Sequence, residues 1–158
     1  MFLQDLVEDL YKFRDHFFEN HPIEKAHEKH GMVRDKLEQT LLAMDQLSLD
    51  SCTDTTSKSC GDDSSIAGRS DLDTKAKVLY FRGRALNVTH DHCPESESVL
   101  SKAVKLEPSF VEAWNELGEC YWKRAQVENA KNCFEGALNH VRKVNPQLVV
   151  LWAYGNNE

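Results

Sequence analysis

Apolar residues recur at three- and four-residue steps from the start of the chain. Leu3, Leu6, Val7, Leu10, Phe13 and Phe17 share one helical face, and Phe2, Tyr11 and Phe18 widen it. Asn20-His21-Pro22 breaks this helix, and Pro22 suits the first turn of a second one. The second helix is expected to carry Ile23, Val33, Leu37, Leu41, Met44 and Leu47, with Gly31 weakening its middle. It is the more polar of the two. The first helix has a face too apolar for water and must pack on the second helix or on a later part of the chain. Residues 1–47 are therefore predicted to form an N-terminal helical hairpin.

The periodicity stops at residues 48–71, where 24 residues include 7 Ser, 3 Thr, 5 Asp and 2 Gly. Such a stretch cannot bury enough apolar surface to offset its ordering entropy, so it is predicted to be a disordered linker. Its Ser and Thr beside Asp resemble acidic-directed kinase sites, although composition favours a solvated spacer. From Asp73 onward helical stretches come in pairs: Lys75 to Asn87, Pro94 to Leu106, Phe110 to about Lys123, and Val127 to Arg142. Ser109-Phe110-Val111-Glu112 reads as a capping box that opens the third. The predicted fold class is all-α.

Trp114, Leu117, Gly118 and Tyr121 fall at W-x2-L-G-x2-Y spacing, followed by Ala130 and Phe134 at A-x3-F and Ala137 one turn later. This is the tetratricopeptide signature. Its spacing has a physical reason. The large residues line the inner face of the first helix, and Gly118 and Ala130 let the two helices approach closely. The preceding pair is a degraded copy: Leu100 lies 34 residues before Phe134, Ala103 lies 34 before Ala137, and Pro108 closes the repeat. Gly83 lies 35 before Gly118, so the first repeat has one extra residue in its turn, and Leu79 and Leu86 replace the Trp and Tyr. Two repeats are assigned to residues 72–143, and residues 144–158 form an unmatched tail. Its uncharged run Leu148 to Tyr154 could cover the last repeat, hang exposed, or pair two copies.

The first helix of each pair builds the concave face of such an array. That face is predicted to present Lys77, Tyr80, Arg84 and Asn87 from repeat one and Glu112, Asn115, Glu119 and Lys123 from repeat two. The result is a mixed-charge groove suited to a peptide. Chaperone-type clamps place a Lys and an Asn where Tyr80 and Arg84 stand, so a chaperone C-terminus is not the expected ligand.

Charge narrows the classes further. The chain holds 19 Lys+Arg against 26 Asp+Glu, net −7, and all of the excess acidity precedes residue 72. An acidic chain with a neutral repeat region is not expected to bind nucleic acid directly. No apolar run approaches the ~18–20 residues that span a bilayer, so no membrane association is expected. Residues 1–10 hold Asp5, Glu8 and Asp9 and no Lys or Arg, unlike a signal or transit peptide. A chain of the cytoplasm and nucleus is expected, with its five cysteines as free thiols and Cys120 and Cys133 as packing residues. His90-Asp91-His92-Cys93 lacks the second cluster that zinc needs and reads as a loop. His16, His21, His27 and His30 read as solvated helix histidines. No metal, cofactor or catalytic constellation is expected, so the chain is not read as an enzyme.

The segments GRALNVT, LSKAVKLEP and VEAWNELGECYWK, with YKFRDHFFE and VRDKLEQTL upstream, resemble the N-terminal part of the Strap family of stress-responsive transcription cofactors. The resemblance covers most of 1–47 and 72–143. The stretch 48–71 is longer than the joint expected there, and the similarity stops after Lys143. What it implies is an adaptor: an array of repeats followed by an OB-fold domain. Such a protein is linked to the p53 stress response through acetyltransferase coactivators and arginine methylation factors. It also recognises nascent tubulin at the ribosome and triggers decay of tubulin mRNA. This chain would then be the front of a longer array, lacking later repeats that hold much of the peptide-binding surface. The alternative is a short form that competes with the full-length protein or self-associates.

Overall fold

The computed structural model describes residues 3–50 and 67–144. Expectations for 51–66 and for the tail beyond 144 lie outside the described residues. The elements are α1 (Leu3–Asp15), α2 (Phe17–Asn20), a 3₁₀ turn (Ile23–Glu28), α3 (Lys29–Asp50), α4 (Ala67–Leu86), α5 (Pro94–Leu106), α6 (Val111–Lys123) and α7 (Val127–Val144). Among the described residues all regular structure is helical. Helix α3 runs through Asp50 and α4 starts at Ala67, so helix overruns both edges of the expected linker.

Helices pack in successive pairs: α1 with α3, α4 with α5, α6 with α7. The first pair also touches α4, and α5 touches α6. The chain is thus a three-layer α-array, with tetratricopeptide-type pairs in its second and third layers. One core joins the two repeats through Tyr80, Leu100, Ala103, Val104, Ala113, Leu117, Cys120 and Cys133. A second joins the hairpin to repeat one through Val7, Leu10, Val33, Leu37, Met44, Ala85 and Val88. Phe81 packs against both. The apolar face of α1 therefore packs on both the second helix and repeat one, not on one of them alone. Arg82 of α4 is paired with Asp45 of α3 along the same seam.

Small residues set the spacing within each repeat. A Cβ on Gly83 would lie 2.5 Å from Leu100 Cγ, and one on Gly118 would lie 2.6 Å from a ring carbon of Phe134. Both glycines are buried, so the partner helices sit at a distance no larger residue permits. Ala130, Ala103 and Ala137 are buried at the same crossings.

Three local expectations are corrected. Ile23 does not join the apolar face of the second helix. It sits in the 3₁₀ turn, 79% exposed, and α3 begins only at Lys29. Ten residues before Val33, its register is roughly 80° off the stripe at 3.6 residues per turn. Gly31 consequently falls in the first turn of α3, not in its middle. The Ser109 capping box does not form either: α6 starts at Val111 with Phe110 uncapped, and the Ser109 hydroxyl donates to Glu107. Glu107 is two residues away, and Trp114 Nε1 donates to the Pro108 carbonyl at 2.8 Å, so the turn closes on itself.

The turn between α6 and α7 carries a feature with no pattern signal. Ala125 has φ 60°, in the left-handed region. Gln126 N–H donates to Tyr121 O and Ala125 N–H to Trp122 O, both at 2.9 Å, which closes α6 in a Schellman motif. Glycine suits that position, since an L side chain there costs about 1–2 kcal/mol.

Two substitutions test these readings by thermal melting. Gly118→Ala is expected to lower stability by about 1–3 kcal/mol through overpacking against Phe134. Ala125→Gly is expected to raise it by about 1 kcal/mol, relief of the left-handed strain outweighing the added backbone freedom. A Gly118→Ala variant as stable as the parent would mean that the crossing is loosely packed.

Candidate functional site

The eight residues expected on the concave face separate into two groups. Lys77, mid-way along α4, and Glu112 and Asn115, early in α6, are exposed, and Lys77 pairs with Asp73 one turn back at 2.8 Å. Of the other five, Tyr80 and Asn87 are buried, Arg84 and Lys123 are partly buried, and Glu119 is exposed. Tyr80 is corrected from groove to core: only 6% exposed, its ring lies 4.8 Å from that of Phe110 and 5.1 Å from that of Phe81. It fills the place where repeat two docks on repeat one.

Asn87, 1% exposed, is the hub of the second group. Its Nδ2 donates to Glu116 Oε2 at 3.1 Å, while its Oδ1 accepts from Lys123 Nζ at 2.8 Å and from the Cys120 thiol at 3.5 Å. Lys123 Nζ also donates to the Asn87 carbonyl at 2.6 Å and the Thr89 carbonyl at 2.8 Å. An ammonium has three donors, and all three are used. Asn87 and Lys123, expected to contact a ligand, instead clasp the end of α4 to α6. Lys123 can act on a ligand only through its charge. Burial holds its pKa below the ordinary lysine value.

The N-terminal hairpin closes over this clasp. The Tyr11 hydroxyl donates to the Arg84 carbonyl at 3.1 Å, and its ring lies under the guanidinium groups of Arg14 at 4.5 Å and Arg84 at 5.1 Å. Burial, the largest cause, and nearby Glu116 hold the Tyr11 hydroxyl well above its ordinary value. Arg14 Nη1 reaches the Val88 carbonyl at 3.3 Å, and its Nε pairs with Asp15 at 2.7 Å. Arg84 Nε lies 3.3 Å from Glu116 Oε1 without hydrogen-bond alignment, so the contact is an ion pair only. Burial, more than any neighbour, pushes the Glu116 carboxyl above its ordinary value.

Beside the clasp lies a half-open cavity of about 400 Å³. Helix α1 contributes Tyr11, Arg14 and Asp15, and α3 contributes Lys29, His30 and Val33. Residues Asn87 to His90 form the third wall, and Glu119 and Lys123 close it from α6. The third wall belongs to the turn between α4 and α5, residues 87–93, which is longer than its counterpart in repeat two, residues 124–126. Sequence reasoning missed Tyr11, Arg14, Lys29, His30 and Glu116. Tyr11 and Arg14 sit three apart on α1, but the apolar stripe there masks a polar edge. Glu116 lies four residues from Glu112 and three from Glu119, so its helical register alone could have found it. By the same register Trp122, 63% exposed, stands three residues past Glu119.

The other candidates have structural partners. His92 Nε2 lies 2.8 Å from Glu97, which also pairs with Arg124 at 3.1 Å, so the His90–Cys93 loop helps tie the two inter-helix turns together. His21 is not a solvated helix residue. It stacks on Phe17 at 4.3 Å, half-buried. Cys120 is buried, contacts Ser96 Oγ at 3.3 Å, and burial pushes its thiol up to about 11. Among the described residues no three His, Cys, Asp or Glu side chains group as metal ligands, and no helix is long and apolar enough to cross a membrane.

No family model matches the chain. Among curated proteins it is 46% identical over 140 residues to tetratricopeptide repeat protein 5 of Homo sapiens, an alignment covering 89% of this chain and 27% of that protein. The Mus musculus protein of the same name is 44% identical over the same coverage. The tetratricopeptide repeat domain-containing protein PYG7, chloroplastic, of Arabidopsis thaliana is 39% identical over 51 residues, which is 32% of this chain and 17% of that protein. The chain spans about a quarter of the length of the proteins named tetratricopeptide repeat protein 5 that it matches. Similarity and architecture agree on a tetratricopeptide-type array, a scaffold for protein–protein interaction.

Two measurements probe the clasp. Asn87→Ala strips Lys123 and Glu116 of a buried partner and is expected to cost about 3 kcal/mol in chemical denaturation. Glu116→Gln tests the raised carboxyl. The folded chain holds this proton more tightly than the unfolded chain, so the group's contribution is full below 4.5 and lost as pH rises through its higher folded value. Melting temperature is therefore expected to fall less steeply above pH 4.5 in Glu116→Gln than in the parent. Parallel curves would contradict a desolvated carboxyl.

Proposed function

We propose that this chain, similar over 89% of its length to tetratricopeptide repeat protein 5, is a protein-interaction adaptor that receives a partner polypeptide where α1, α4 and α6 meet. The observation that carries this reading is the cavity of about 400 Å³, walled by α1, α3, the turn that follows α4, and α6, so that all three layers contribute. Concave sites between packed helices are where bundles and arrays bind ligands. Catalysis finds less support. The polar groups of the clasp are consumed by one another, and the Cys120 thiol, at about 11, is far from its nucleophilic form.

The resemblance supports a finer assignment: a stress-response transcription cofactor acting in the cytoplasm and nucleus. Its partners would be acetyltransferase coactivators of the p53 pathway and nascent tubulin on the ribosome. The test uses the purified chain with two baits, ribosomes carrying a nascent tubulin N-terminus and an immobilised acetyltransferase coactivator. Retention on at least one, above matched ribosomes or resin without the bait, is expected. Retention on neither would sink the partner assignment.

A further inference from the structure

The cavity carries more positive charge than its chain would suggest. Arg14, Lys29 and Lys123 stand against two carboxylates, Asp15 and Glu119, in a protein whose net charge is −7. Hydrogen-bonding capacity separates these groups further. Lys123 spends all three donors on carbonyl oxygens, and Arg14 is engaged by Asp15 and the Val88 carbonyl. Arg14 and Asp15 offset each other and Lys123 stands against Glu119, so Lys29 leaves the wall with a net positive charge.

The groups free to bind are different ones. Lys29 Nζ stands over ring faces, 4.8 Å from the Phe18 centroid and 5.7 Å from that of Phe17, and its charge also reaches the Asp15 carboxylate, which Arg14 already holds. His30 and His90 are exposed on walls contributed by different elements, the start of α3 and the turn after α4. Asp15 is paired, which leaves Glu119 as the free carboxylate among the described residues of the wall. Spare donors and a net positive charge outweigh one spare acceptor. Trp122, an exposed indole outside the cavity wall, stands three residues past the wall residue Glu119 on α6 and so shares its helical face; it is the kind of side chain that dominates interfaces.

We infer that the cavity is a receptor for an acidic side chain, Asp or Glu, of the partner polypeptide. Its carboxylate is taken by Lys29 with His30 or His90, and an apolar neighbour of the acid rests on Trp122. The inference deepens the adaptor reading and rests on it. It does not use the face residues Lys77, Glu112 and Asn115, and the N-terminal hairpin supplies its main free cation. A volume of about 400 Å³ is at the low end of the ~300–1,000 Å³ usual for ligand pockets and suits side chains better than a folded surface.

The test is selection of a random heptapeptide phage library on the immobilised full chain, followed by fluorescence anisotropy of the recovered peptides. Asp or Glu beside an aromatic or aliphatic residue is expected to be enriched. Affinity is expected to fall about tenfold when the acid becomes its amide, and by a similar factor in Lys29→Glu and in His90→Glu, which changes only an exposed turn residue. Trp122→Ala is expected to weaken the same peptides, and unchanged affinity there would remove the apolar anchor. Specific peptides without acid enrichment, or indifferent to both charge reversals, would overturn the acid receptor while leaving the adaptor reading standing. Recovery of no specific peptide would overturn both.

Discussion

The architecture depends on how closely two helices can cross. At Gly118 and Gly83 the facing side chains, Phe134 and Leu100, occupy the space where a Cβ would be. That approach brings Ala130, Ala137 and Ala103 into contact and fixes each pair as a rigid layer. Layer then stacks on layer, with Tyr80 and Phe110 filling the joint between repeats. If the crossings widened, the ends of α4 and α6 would no longer meet. The hydrogen bonds from Lys123 to the Asn87 and Thr89 carbonyls require that they do.

Polar chemistry is a consequence of this packing. Asn87, Glu116 and Lys123 are desolvated because the helices are close, and each is stable there only because the others satisfy it. A buried amide between an ammonium and a carboxylate serves both, donating to one and accepting from the other. The N-terminal hairpin completes the arrangement. Its apolar face covers Ala85 and Val88, and its polar edge lays Tyr11 and Arg14 over the end of α4. Repeat arrays gain stability from each neighbouring layer, and the hairpin supplies such a neighbour to a degraded first repeat.

The helix pairs were legible because their requirements are local. A Trp, Leu, Gly and Tyr at fixed spacing describe one helix face, and an Ala and Phe describe the face that meets it. The hairpin was legible as an amphipathic stripe, although its boundary with the 3₁₀ turn was not, since nothing in IEKAHE distinguishes the two helical windings. The groove was half legible. Helical register put Asn87, Glu119 and Lys123 on facing elements, and these three border the same cavity. It could not show that the hairpin would lie over them, or that two of the three would be used up in holding α4 to α6.

From the sequence alone came the all-α class, the paired helices, the close-crossing glycines and the resemblance to a family of adaptors, because each rests on residues within one or two helical turns or at a constant repeat offset. Tertiary structure decided which polar residues are free to act. Lys123 and Lys29 are the same residue type, yet three carbonyl oxygens consume the donors of one and leave those of the other available. That difference arises where α1, α3, α4 and α6 converge from positions far apart in the chain, and no local pattern encodes such a convergence.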